Sequence, residues 1–143
     1  MNTQEELFQN WFRRLQVIYF ALLTGMFLLA AILHFTIPPL SESVGSPFIF
    51  IGLMAVLIIA GYVIFRKKTA EMASLTQLND RMNHYFTAFI IRSALFEAPV
   101  LIGLVVYHFV CSDRMVYVAV MACLLNFLAQ LPKRQQVAAQ LGL

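Results

Sequence analysis

Residues 92–106, RSALFEAPVLIGLVV, set a guanidinium and a carboxylate, Arg92 and Glu97, at the head of an apolar run long enough to enter a lipid bilayer. An ionised group at the bilayer centre costs about 2.5–3.5 kcal/mol on insertion scales. An acid in that setting faces other helices, holds a proton, or holds a cation. Five helical residues place Glu97 about 7–8 Å deeper than Arg92 and about 140° around the axis, so the two do not pair within one helix. Arg92 can snorkel to the inner interface. Pro99 cannot donate to the carbonyl of Leu95 and crowds it, which predicts a kink and a free acceptor beside the carboxylate. Asn126 lies five residues before Leu131, Tyr62 three residues before Phe65, and Tyr19 rises from the same side in the first apolar block. A cluster of Glu97 with Arg92, Asn126, Tyr62 and Tyr19 is therefore geometrically allowed, either as a helix-to-helix lock or as an ion-binding site.

A second constellation sits towards the other end of the apolar blocks. His34, His108 and Cys111 approach the same level, with Asp113 in the adjoining turn. Two histidines on facing helices can ligate a metal or haem. The spacing C-x-x-C-H and a paired-ligand repeat are both lacking, so the expectation is histidines bonded to neighbours or interfacial water, with no metal and no cofactor. The two cysteines, Cys111 and Cys123, read as small apolar side chains. No nucleophile elbow, P-loop, dinucleotide fingerprint or carboxylate pair within one apolar block is present, and no enzyme activity is expected.

The elements that must carry these residues follow from composition. Of 143 residues, 61% are hydrophobic and 12% charged, and the mean hydropathy is +0.78; soluble domains are about 45–50% apolar and about 25% charged. Four apolar blocks dominate, and a hydrocarbon core of about 30 Å takes about 20 helical residues to cross. The expected fold is a single all-α membrane domain over 1–143, a four-transmembrane-helix bundle with spans near 15–37, 47–66, 86–111 and 114–131. The first block is too long for a signal-peptide core and lacks its cleavage pattern, so it is expected to remain in the mature protein.

Nine of the ten basic residues fall in the N-terminal segment, the connection near 66–92 and the C-terminal segment, and only Arg114 falls on the opposite side. This positive-inside bias places both termini in the cytoplasm. Nucleic-acid binding is not expected, because no basic run interleaves with aromatics. The stretch 36–47, TIPPLSESVGSP, is an outer loop, and Pro47 suits the first turn of the next helix. Ser74 followed by Gln77 fits a capping box, so the third helix should begin near 75, project from the membrane, and form a cytoplasmic helical hairpin over about 66–88. Gln4 to Phe12 suits a helix lying in the inner interface, with Trp11 as an anchor. Ala119, Ala122, Cys123 and Asn126 make a narrow side on the fourth helix that allows close approach.

Glu97-Ala98 followed by Gly103-Leu104-Val105-Val106 resembles the carboxylate helix of rotor-ring proteolipids, over about 15 residues (92–106). In that family such an acid binds the transported ion. The chain as a whole is more similar to small uncharacterised bacterial four-helix integral membrane proteins, whose third helix opens with a comparable Arg, acid and Gly-Leu-Val pattern. That resemblance implies the bacterial inner membrane and supplies no activity. The leading expectation is a non-catalytic structural or interaction subunit, embedded in the lipid bilayer and able to form a homo-oligomer or join a larger membrane complex. A proton- or cation-binding subunit using Glu97 is the alternative, and a membrane redox or metal protein using His34 and His108 the second alternative.

Overall fold

A computed structural model describes residues 3–38 and 45–143. These residues form five helices and no strand: α1 (Thr3–Thr36), α2 (Pro47–Glu71), α3 (Leu78–Phe109), α4 (Arg114–Ala129) and α5 (Arg134–Leu141). Three of them, α1, α2 and α3, are long and apolar enough to cross a membrane. The fourth apolar block lies in α4 and the turn after it; α4 meets α5 at 65°, and the two make a fourth candidate only if taken as one broken span.

The helix ends follow local chemistry. Pro47 occupies the first turn of α2, where its missing N–H costs nothing. At the other end, the Ser74 hydroxyl donates to the carbonyl of Glu71 at 2.7 Å within a 3-10 turn, Met72–Ser74. That bond corrects the expected capping box. Ser74 satisfies the end of α2 instead of the start of α3, and α3 begins three residues later than expected, behind an extended Gln77 with no side-chain cap. Asp113 does cap α4, accepting the Met115 N–H at 2.7 Å. Pro132 cannot donate to the carbonyl of Leu128 and disfavours helical geometry at Leu131, which stops α4 and produces the bend. Gly142 ends α5 with φ +76°, a backbone that glycine adopts without a steric penalty.

The expected interfacial helix over 4–12 is not separate. α1 runs unbroken from Thr3, because nothing between Phe12 and Val17 breaks a helix. Its early apolar residues turn onto the chain itself: Phe8 and Phe12 are buried, and the Trp11 ring meets Tyr85 edge-on at 5.8 Å. The fourth span also departs from expectation. α4 has 16 residues, about 24 Å of helix, and α5 had no counterpart in the apolar pattern.

Helix α3 is the axis of the molecule. At 32 residues it extends about 48 Å and packs against α1, α2, α4 and α5. In the most apolar stretch of α3, 44% of residues are buried, against 17% in α1 and in α2. The difference shows where the chain's apolar surface goes. α1 and α2 turn Phe27, Leu28, Phe35, Phe48, Ile49 and Val56 outward.

Two glycines set the approach of the helices. A Cβ on Gly61 would lie 2.5 Å from the Phe96 ring, and one on Gly103 would meet Val120 and lie 2.5 Å from the Met54 methyl. α2 and α4 can therefore close on α3 only because these two positions carry no side chain.

Candidate functional site

The polar residues of the apolar blocks collect on the sides of α3, towards the end where α4 meets α5. From α2, the Tyr62 hydroxyl donates to Asn126 Oδ1 of α4 at 2.8 Å and accepts from Gln130 Nε2 at 2.7 Å. Asn126 and Gln130 are four residues apart, so both point to one side of α4. The Tyr62 ring rests against Phe96, 4.9 Å between centroids, beside the space Gly61 leaves. Tyr19 of α1 is 1% exposed. Its hydroxyl donates to the Phe127 carbonyl at 2.8 Å, and its ring stacks on Phe127 at 5.0 Å. The tyrosine thus adds a second donor to a carbonyl at the end of α4 that also accepts the Gln130 N–H at 3.0 Å.

Tyr62 and Asn126, expected together, are brought together. Tyr19 joins the same end of α4 through the main chain rather than through Asn126. Glu97 is half-buried and, among the described residues, makes no hydrogen bond and no ion pair. Phe96, one residue earlier, occupies the side of α3 that meets Tyr62, and Glu97 is turned about 100° from it. Asn126 Nδ2 is buried with no partner, so the amide offers a donor that no described group accepts.

Arg92 takes a different neighbour from any expected. Its guanidinium lies over the Phe65 ring at 3.8 Å, with Phe89 at 5.6 Å. No carboxylate pairs with it among the described residues. The carboxylates that do pair lie elsewhere: Glu71 with Lys68 (3.2 Å) and His84 (3.4 Å), and Glu5 with Arg134 (3.3 Å). Burial of aromatic surface against a cation stabilises both, by about 0.5–2 kcal/mol depending on desolvation.

Gln130 was missed by sequence reading. The signal was present in the four-residue spacing Asn126 to Gln130, both inside the expected span 114–131, but only Asn126 was included in the cluster.

At the other end, His34 and His108 line one cavity of about 280 Å³ between α1, α3 and α4. His108 is buried, and its Nδ1 sits 2.9 Å from the Leu104 carbonyl; a ring N–H donated there leaves Nε2 as the acceptor. Cys111 is buried with its Sγ 3.9 Å from the Gly45 carbonyl, and the Asp113 carboxylate is engaged in capping α4. Among the described residues no three of His, Cys, Asp and Glu converge on a metal-sized site.

What the inner cluster can do chemically is bind helices to one another through neutral hydrogen bonds, while Glu97 and Arg92 each retain unspent polar capacity. Comparison of the chain with known protein families, with curated proteins and with solved structures yields no match.

Proposed function

We propose that the chain is a non-catalytic integral membrane protein of four crossing segments, with both termini in the cytoplasm, that acts as a structural or interaction subunit and self-associates. α4 with the bend to α5 serves as the fourth crossing in this reading, and the basic connections face the cytoplasm. The outward apolar faces of α1 and α2 support lipid as the surrounding solvent. The observation that carries the functional reading is Glu97: a half-buried carboxyl inside the most apolar part of α3 with no partner among the described residues of its own chain. A carboxyl in hydrocarbon needs a partner or a wet cavity. A second copy, docking along the flank of α3 that carries Glu97, supplies that partner.

The lone carboxyl also favours one rival, a proton- or cation-binding subunit that uses Glu97 as its exchanging group. The two readings separate in one pair of measurements. The mass of the purified protein in mild detergent should exceed that of the monomer, Glu97→Gln should retain the assembly, and Glu97→Ala should weaken it. A monomeric wild type would end the self-association reading, and equal assembly in both variants would end the role of Glu97 in it. Carbodiimide labelling at neutral pH tests the rival, since a protonated, accessible Glu97 reacts and a locked one does not.

A further inference from the structure

Where α4 bends into α5, Arg92 and Tyr85 of α3 close a small cavity of about 70 Å³ against Gln130, Lys133, Gln136 and Gln140. The guanidinium carbon lies 3.8 Å over the centre of the Phe65 ring, a contact that uses none of its N–H donors. Among the described residues none of those donors has an acceptor, and no carboxylate pairs with the group. Glu97, the nearest acid in sequence, is turned about 140° away around α3. A second cation, Lys133, borders the same space. Gln136 and Gln140 can each turn an amide N–H towards the interior.

We propose that this cavity binds one phosphate-sized oxyanion, with the edge of Arg92 as its principal ligand and Lys133 and the glutamine amides completing the shell. Charge selects this occupant. Water can fill the space but leaves the guanidinium without a counter-ion. One tetrahedral oxyanion fills it, neutralises Arg92 and accepts from two of its N–H groups at once, a geometry that suits arginine better than lysine. Two sources deliver that group: inorganic phosphate, and the headgroup of an anionic phospholipid. Because Gln130 also donates to Tyr62, an occupied cavity steadies the contact between α2 and α4.

The test uses the full-length protein in an uncharged detergent, followed by thermal unfolding. It is titrated with sodium phosphate against sodium chloride at equal ionic strength, and separately with phosphatidylglycerol against phosphatidylcholine in mixed micelles. A saturable rise in Tm is expected with phosphate or with phosphatidylglycerol, and not with chloride or phosphatidylcholine. A response to phosphate alone assigns the free anion, and a response to phosphatidylglycerol alone assigns the lipid headgroup. Arg92→Gln and Lys133→Gln should each weaken the apparent affinity by about tenfold or more, whereas Lys67→Gln, exposed and outside the cavity, should leave it unchanged. Lys133 is exposed, so its variant keeps the test alive should Arg92→Gln fail to fold. The absence of any saturable shift, an equal response to phosphatidylcholine, or wild-type titration of the variants overturns the assignment.

Discussion

Tyr62 makes two side-chain hydrogen bonds in a region where water is scarce, and its loss has consequences beyond the bonds themselves. Tyr62→Phe removes the donor to Asn126 and the acceptor for Gln130. Side-chain hydrogen bonds between helices in lipid average about 0.6 kcal/mol and reach about 1.7 kcal/mol. Asn126 would then hold both amide atoms unpartnered, since its Nδ2 already lacks an acceptor, so the cost should lie towards the upper figure. Reversible unfolding in bicelles measures it. Adding Asn126→Leu should recover part of the loss, because replacing both partners by apolar groups removes the desolvation penalty that one leaves behind; a double variant less stable than Tyr62→Phe would contradict this account. Arg92 and Glu97 illustrate the same point from the opposite side. Their types and spacing announced a polar site, but which partners they meet depends on helices far away in sequence.

Among the elements, α3 holds its neighbours by close approach at two glycines and by a few inward polar contacts. Gly61→Ala drives a methyl into the edge of Phe96, and Gly103→Ala drives one against the branched Val120, with Met54 the only flexible neighbour in its way. Each should destabilise the fold by about 1–3 kcal/mol, the usual range for overpacking. Gly25 and Gly52 have open space at the same position, so alanine there should be neutral or stabilising through helix propensity. Thermal unfolding of the four variants in one detergent separates the two classes, and equal effects in all four would refute the packing argument. The C-terminal α5 is tied back by Arg81, whose Nε donates to the Leu75 carbonyl at 2.6 Å and whose Nη1 donates to the Leu141 carbonyl at 3.2 Å. One side chain thereby joins the hairpin between α2 and α3 to the end of the chain.

For the whole molecule, the proposed orientation makes a direct labelling prediction. Both native cysteines are buried, so single exposed replacements report cleanly. Ser46→Cys should react with a membrane-impermeant maleimide added to intact spheroplasts, and Ser74→Cys should react only after lysis; the reverse pattern would invert the topology. Apolar run length and the lopsided distribution of basic residues were enough to read an all-helical chain with several bilayer-length segments, because periodicity and hydropathy are local properties. Helix ends were less legible. Ser74 had two helix termini within reach of one hydroxyl, and the hydrogen bond went to the carbonyl of Glu71. The burial of Phe8 and Phe12 against the rest of the chain is a contact that local pattern does not encode, and the helix beyond Pro132, α5, lies outside the last apolar run. From the sequence alone came the bilayer-length apolar helices and the identity of the polar residues among them. The pairing of Tyr62 with Asn126 and Gln130, the isolation of Glu97 among the described residues, and the seating of Arg92 on Phe65 beside a polar cavity were decided only in three dimensions, because each turns on which faces of separate helices are brought together.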